Sequence, residues 1–465
     1  MRRHFSAFCL LFTAAIIMAS CLNSEDDTTY YDDAAITSFS LTSAKMTKHT
    51  TASTGDDSTY VEVSTEVSSY NFRIDQQKGL IYNVDSLPVG TDLTKVICNY
   101  YTKNNSYAAI KSLTSDSLLY FSTSDSIDFS KPRIVSVFSS SGANKKDYTI
   151  TVNMHKEAAD SFKWTQFPDS KLLAGYGKLK AYSLNGSIVV MASDGEKSNL
   201  FTMDTASEKN FKATSVVMSA DAYKNAVVKD GTLYVLDGQT LKKSSNATDY
   251  ENVAENVPVK RLVAASTTEM YGTTDDNTIL VSTDNGLTWK ADKMESGNSF
   301  VPTDDISYVC STFKYSNNAD QVLLFGNRYD ETNAKTTTAF VWRKIVEHDS
   351  DSNESQWAYY NYDSASKKPL KSMQNLEVLK HGDYLLAMGG KGVNGCTEKA
   401  YSTIYVSTDN GLSWNTIDTF GYPYGFDKSA SAVSACTDSD NFIWIVMNNS
   451  GQVWRGRLNE VAWGK

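Results

Sequence analysis

The sequence predicts an all-β chain, an N-terminal immunoglobulin-like β-sandwich followed by a β-propeller, and three observations carry that prediction. An eight-residue phrase, Ser282-Thr-Asp-Asn-Gly-Leu-Thr-Trp289, returns almost unchanged as Ser407-Thr-Asp-Asn-Gly-Leu-Ser-Trp414, each time after a β-branched run (Ile279-Leu-Val281, Ile404-Tyr-Val406). Short β-branched and aromatic runs alternate with Gly, Pro, Asn and Asp, while apolar spacing of helical period is almost absent. The stretch 161–465, 305 residues long, fits six or seven four-stranded units of about 40 to 50 residues each.

The chain begins with Arg2 and Arg3 ahead of an apolar run, Phe5 to Met18, which is too short to cross a bilayer and has the make-up of a signal-peptide core. Met18-Ala-Ser-Cys21 resembles a lipobox, where cleavage precedes the Cys and its thiol carries the lipid. Residues 1–20 are therefore expected to be a lipoprotein signal peptide, with Cys21 the acylated start of the mature chain. Residues 21–33 read as a flexible acidic tether, and Asn23-Ser-Glu-Asp-Asp27 is similar to the export signal of Bacteroidetes outer-surface lipoproteins. The expected location is the outer membrane, facing outward. A net charge of −10, near −12 once Arg2 and Arg3 are removed, disfavours nucleic acid and provides no polybasic patch for anionic lipid. The acylated Cys21 is thus the one expected membrane contact.

Residues 34–155 are predicted to form the sandwich. Seven runs support it: Ile36–Leu41, Tyr60–Val63, Tyr70–Ile74, Lys95–Cys98, Leu118–Phe121, Arg133–Phe138 and Tyr148–Val152. A linker follows from His155 to Asp160, and the propeller is expected over 161–465. Its blades are laid out over residues 179–211, 222–253, 261–292, 306–362, 376–419 and 432–458. The last shows three strands, so Phe162–Phe167 is expected to supply its fourth and close the ring. The repeated phrases are 125 residues apart. Visible inserts at 329–338 and 347–355 make two blades the better fit to that distance, so six blades are preferred and seven is the alternative.

The phrases have the form of Asp boxes: Asn-Gly takes the positive φ angles of a tight turn, the Asp carboxylate accepts hydrogen bonds from its own loop, and the Trp caps the apolar layer beneath. Their residues, Ser282, Asp284, Gly286, Trp289, Ser407, Asp409, Gly411 and Trp414, are read as structural. Together with Gly79-Leu-Ile-Tyr82, Asp85-Ser-Leu-Pro-Val-Gly90 and Val453-Trp-Arg-Gly-Arg-Leu-Asn459, they make the chain similar to a Bacteroidetes surface lipoprotein family of unknown function, which joins a sandwich-like domain to an Asp-box propeller. The resemblance implies the architecture and no activity.

Sialidases also carry Asp boxes, and they grip a substrate carboxylate with three arginines beside a Tyr nucleophile and its Glu. From residue 161 onward this chain has Arg261, Arg328, Arg343, Arg455 and Arg457, and it lacks the Arg-Ile-Pro motif that opens sialidase domains. Convergence of Arg261, Arg328, Arg343 and Arg455 on the axial channel would decide for a sialidase-like glycoside hydrolase. Other chemistry is weaker. Cys98, Cys310, Cys396 and Cys436 have no zinc spacing and are read as free thiols, a Cys396–Cys436 disulfide being the alternative. Asp349-Ser-Asp-Ser-Asn353 starts like a calcium loop, then has Glu354 in place of the turn Gly. No catalytic residue, metal or cofactor is predicted. The functional lead is aromatic: Trp357, Tyr359, Tyr360 and Tyr362 in one run, Tyr422 and Tyr424 in another, with rings suited to stacking on sugars or protein side chains. The expected role is a lipid-anchored surface binding protein without catalysis, recognising a glycan or a partner envelope protein. A glycoside hydrolase and a protein-only scaffold are the alternatives.

Overall fold

The computed structural model describes residues 29–51, 57–313, 316–333, 335–348, 355–361 and 368–463. Cys21 and the leader, Tyr362 and the acidic run 349–353 lie outside the described residues. The chain is all-β and divides into two compact units, Met1–Ala158 and Ala159–Lys465. No described helix is long and apolar enough to cross a membrane.

The first unit contains β1 (Ile36–Thr51), β2 (Asp57–Ser64), β3 (Phe72–Asp75), β4 (Leu80–Asn83), β5 (Thr91–Thr102), β6 (Tyr107–Lys111), β7 (Leu118–Tyr120), β8 (Arg133–Phe138) and β9 (Lys145–Thr151). They form a three-stranded sheet, β2-β1-β5, and a six-stranded sheet, β3-β4-β9-β8-β6-β7. The β4–β9 pairing is parallel. Period-two alternation sends Val135, Val137, Tyr148 and Ile150 into the same core as Leu41, Val96 and Cys98 of the other sheet. The intervening Ile134 faces solvent. Two strands go beyond the seven read from sequence. β4 is four residues long, and β6 carries Ala108-Ala109, poor β formers that packing against β8 holds in the sheet.

The second unit is a succession of antiparallel hairpins. Its first three sheets are β11 (Lys178–Leu184), β12 (Ser187–Ser193), β13 (Lys197–Asp204) and β14 (Lys212–Ser219); β15 (Ala226–Lys229), β16 (Thr232–Asp237), β17 (Thr240–Ser244) and β18 (Glu251–Ala254); and β19 (Arg261–Ala265), β20 (Met270–Thr273), β21 (Ile279–Ser282) and β22 (Lys290–Ala291). The next two are β23 (Asp304–Phe313), β24 (Ser316–Asn327), β25 (Phe340–Glu347) and β26 (Ala358–Tyr359), then β27 (Glu377–His381), β28 (Tyr384–Met388) and β29 (Tyr405–Ser407). The last joins the two ends of the unit: β30 (Val433–Thr437), β31 (Ile443–Met447) and β32 (Val453–Leu458) take β10 (Phe162–Phe167) as their outer strand, Phe162 opposite Leu458 and Phe167 opposite Val453. Local chemistry makes the hairpins. Asn185-Gly186 and Asp230-Gly231 have positive φ at both residues, as two-residue turns between twisted strands require.

Apolar cores lie between successive sheets. Val189, Met191, Leu233 and Val235 share one core, Leu236, Leu241, Leu262 and Met270 the next, and Val281, Leu324, Trp342 and Trp357 a third. Phe325, Val341, Leu385 and Trp414 form another, as do Leu386, Met388, Ile445 and Trp454. The sixth joins Val446 and Trp444 of the last sheet to Ile188 and Val190 of the first. The succession therefore returns to its start, and among the described residues each of the six sheets shares a core with the sheet before it and the sheet after it. The first strand of each sheet also touches the first strand of the next, with β30 meeting β11.

One buried base reports on this closure. His381, fully buried at the end of β27, accepts the Leu458 backbone N–H through Nε2 at 3.0 Å and packs beside Phe162 and Phe420. Burial pushes its pKa down to about 4. The folded state therefore resists a proton that the unfolded chain takes up near the ordinary value of about 6.5, so stability is lost as pH falls from about 6.5 toward 4. The loss at pH 4 from this group is on the order of 3 kcal/mol. Urea titrations at pH 7 and pH 4.5 should show a smaller difference in His381→Gln than in the parent; an identical difference would remove His381 as the cause.

Candidate functional site

The first strands of all six sheets line one cavity of about 300 Å3, to which β11 gives Lys180 and Tyr182, β15 Val228, β19 Leu262, β23 Tyr308 and Cys310, β27 Glu377 and Lys380, and β30 Cys436. Because it is enclosed by one strand from each sheet, it lies on the axis of the ring. A second cavity of about 220 Å3 adjoins it and shares Lys180, Lys224, Ile306 and Glu377. Its other walls come from the beginnings of the same strands and the turns before them: Lys178, Tyr223, Arg261, Asp304, Asp305 and Asn375, with Tyr329. These residues mark the strand-start end of the axis, called the mouth below, and this end is the more polar part.

Between mouth and depth, Glu377 accepts from Lys180 Nζ at 2.8 Å and from Ser434 Oγ at 2.6 Å. Lys180 Nζ also donates to the Ile306 carbonyl at 3.1 Å, and Ser434 Oγ accepts the Ala181 N–H at 2.9 Å. Four first strands are thereby tied together. Burial pushes the Glu377 carboxyl up and the Lys180 cation opposes that rise. Farther along the strands, the Tyr308 phenol spans from β23 to β15, where it accepts the Val228 N–H and donates to the Val228 carbonyl, both at 3.1 Å. Cys310 and Cys436 have thiols raised by burial, Cys310 to about 12, so neither is a thiolate nucleophile near neutral pH.

At the mouth, Asp305 accepts from Asn327 Nδ2 at 2.9 Å, from the Asn375 backbone N–H at 2.9 Å and from the Tyr329 hydroxyl. Burial raises its pKa. Asp304 accepts from the Thr303 hydroxyl at 2.7 Å. The cations are less committed. Lys224 holds the exposed Asp221 at 2.9 Å, while the side chains of Arg261 and Lys178 make neither hydrogen bond nor ion pair among the described residues. Among the described residues there is no group of three or more His, Cys, Asp or Glu arranged to hold a metal ion.

The structure does not bring the four arginines together. Arg261 lines the mouth. Arg328 pairs with Asp330 at 2.8 Å and donates to the Val301 carbonyl at 2.9 Å, Arg343 on β25 lies by Tyr360, and the Arg455 guanidinium stacks 4.3 Å from the Phe442 ring centroid. A Glu/Tyr pair exists in Glu269 and Tyr271, but it is buried between the third and fourth sheets. There Lys344 Nζ contacts Glu269 at 3.1 Å and Asp292 at 2.7 Å, sealed from solvent.

Within the aromatic lead, Trp357 needs correction, whereas Tyr422 and Tyr424 line a surface cavity with Phe162 and Trp164. Trp357 is fully buried, donates Nε1–H to Asp292 at 3.0 Å and packs edge-on against Tyr271, so it is not open to a ligand. Tyr359 stacks on Phe300 at 4.9 Å between centroids, and Tyr360 packs against the core of the fourth and fifth sheets. Tyr422 packs on Phe426 and Tyr401, whereas Tyr424 is fully exposed. Cys396 and Cys436 are both free.

The two repeated phrases have the same internal geometry. Ser282 Oγ donates to Asp284 Oδ1 at 2.8 Å and accepts the Gly286 N–H at 2.8 Å; Ser407 does the same with Asp409 at 2.8 Å and Gly411 at 2.9 Å. The indole of Trp289 donates to the Gly286 carbonyl at 3.1 Å, as Trp414 does to Gly411 at 3.1 Å. These bonds stay inside each loop, and none of the eight residues lines the axial cavities.

Two family models match the chain: the DUF6242 beta propeller domain over residues 158–465 and the DUF6242 N-terminal domain over 39–152. The chain belongs to the DUF6242 family. Its second unit is therefore a β-propeller. No curated protein matches. Solved structures similar to the DUF6242 chain include a calcium structure of a Trichoderma reesei carbohydrate-active enzyme of family AA12 (8% identity, 65% of this chain, 96% of that one, TM-score 0.39). YCF48 from Cyanidioschyzon merolae matches at 11% identity (63% of this chain, 98% of that one, TM-score 0.29). So does the GH43_1 enzyme from Xanthomonas citri complexed with xylotriose, at 9% identity (63% of this chain, 88% of that one, TM-score 0.32).

Sequence reasoning on this DUF6242 chain missed Lys180, Asp304, Asp305, Asn375 and Glu377. A signal existed for two of them. Lys180 and Glu377 are charged residues inside otherwise apolar strand starts, Leu179-Lys-Ala181 and Leu376-Glu-Val378, and a first strand with apolar neighbours on both sides tolerates charge only toward a partner or a cavity. Asp304 and Asp305 sit in a polar turn and carry no such mark.

Proposed function

We propose that this propeller is a non-catalytic binding module whose ligand, a glycan, enters the axial mouth, and that the protein works at the cell surface on a lipid anchor at Cys21. The observation that carries the binding role is the commitment of the axial carboxylates. Glu377 is held by Lys180 and Ser434, and Asp305 by three donors, so among the described residues this opening presents no unengaged carboxylate pair for the acid/base work of glycoside hydrolysis. Rigid strands around a polar opening are a suitable platform for recognition. In this reading each of the six sheets is one blade, the repeated phrases are Asp boxes that brace neighbouring blades, and the first unit is an immunoglobulin-like sandwich whose three-stranded and six-stranded sheets share one core.

A glycan-array screen of the full-length chain in detergent tests the role. Retention of at least one glycan is expected, with retention lost in Thr303→Trp, which fills the mouth from an existing wall position, at unchanged melting temperature. Retention of no glycan, or retention that Thr303→Trp leaves intact, would overturn the reading. Loss of the lipid anchor in Cys21→Ser, read as release from membranes, tests the location.

A further inference from the structure

We infer that the ligand of the axial mouth is a sugar acid, a monosaccharide unit bearing a carboxylate, and that Arg261 is the residue that anchors it. The inference rests on the binding role proposed above and names the ligand class. The chain as a whole is acidic, with a net charge of −10, yet this opening holds two cations without an ion-pair partner among the described residues, Arg261 and Lys178, beside Asp304 and Asp305, whose hydrogen-bond donors are neutral. Glu377 is neutralised by Lys180 at 2.8 Å, and Asp305 is surrounded by three hydrogen-bond donors. Arg261 and Lys178 have no anion among the described residues, and Lys224 meets only an exposed one.

Arg261 is half-buried at the first position of β19, where the strand pairing to Thr273 fixes its backbone. A planar guanidinium held at the wall of a cavity grips a carboxylate through two parallel N–H bonds, and partial exclusion of water strengthens the pair. Lys178 on the adjoining rim adds a second positive charge. Asp304 takes the Thr303 hydroxyl and the Tyr329 N–H on Oδ2, and its Oδ1 has further acceptor capacity, which suits the hydroxyls of a sugar ring and gives an inorganic anion nothing. The mouth, about 220 Å3, is smaller than the roughly 300–1,000 Å3 of sites for drug-sized ligands, so it takes one ring rather than an oligosaccharide.

Calorimetric titration of the full-length chain in detergent with glucuronate, galacturonate, glucose, galactose and inorganic phosphate tests this. The uronates should bind at least about tenfold more tightly than their neutral parents, since a charge-assisted hydrogen bond contributes about 1.5–3 kcal/mol. Arg261→Gln should weaken uronate binding roughly 10- to 100-fold with unchanged melting temperature, and Lys178→Gln by a smaller factor. Equal binding of acid and neutral sugars overturns the sugar-acid inference and leaves the glycan role standing. Phosphate binding as tight as uronate, or uronate binding indifferent to both substitutions, also overturns it. Absence of uronate binding overturns the sugar-acid inference, while the glycan role falls only if the array retains no glycan or Thr303→Trp leaves retention intact.

Discussion

Replacing Lys344 by Met should destabilise the propeller by about 3–5 kcal/mol or more, the cost of stripping one partner from a buried ion pair. Lys344 is 2% exposed and its ammonium lies between Glu269 and Asp292, whose side chains are each 8% exposed. Met fills nearly the same volume, so the change removes charge with little change in packing. Two carboxylates then remain in the interior. Asp292 keeps the Trp357 indole N–H and Glu269 keeps the Tyr271 hydroxyl, but neither neutral donor replaces a cation. The same ammonium lies 5.1 Å from the Tyr271 ring centroid, and Met removes that cation–π contact too. Because the cluster bridges the third and fourth sheets, unfolding followed by tryptophan fluorescence in urea should show the loss directly. A shift of less than about 1 kcal/mol would mean that Glu269 and Asp292 take up protons or water once Lys344 is gone and are not left as buried charges.

Truncating the two repeated tryptophans should give unequal losses although their phrases are nearly identical. Trp414 is 2% exposed and packs against Phe325 of the preceding sheet at 6.1 Å between centroids, with Val309, Leu323 and Leu385 in the same core. Trp414→Ala removes that whole contact and should cost about 3–5 kcal/mol. Trp289 is only half-buried, at the margin of the core between the second and third sheets. Hydrophobic stabilisation scales with area removed from water, so Trp289→Ala should cost roughly half as much. Equal losses would show that the indole bond within each loop, and not the inter-sheet packing, supplies most of the stabilisation. Chemical denaturation of both variants under one set of conditions decides it.

Much of the fold was legible because it is local. Ser282 to Trp289 and Ser407 to Trp414 specify their loops through bonds that stay within each phrase, and the positive φ of Asn285, Gly286, Asn410 and Gly411 is what Asn-Gly supplies at least strain. Hairpins such as Asn185-Gly186 are equally self-contained. An all-β chain with a propeller follows from their repetition. The first unit was less legible at β6, where alanines carry a strand that only a neighbour stabilises.

The site was much less legible. Aromatic rings in a run look alike whether they face a ligand or a core, and Trp357 proved to be an interior residue whose partner Asp292 lies 65 positions away. The four arginines are scattered through 195 residues of sequence, from 261 to 455, and their side chains find four different environments. By itself the sequence determined the strand-and-turn grammar and the repeated loops, since each depends on residues within about ten positions. Only the tertiary structure decided that Lys180, Arg261, Asp305 and Glu377 share one axial opening, because closing the ring brings the starts of distant strands together and nothing in any one strand encodes its neighbours.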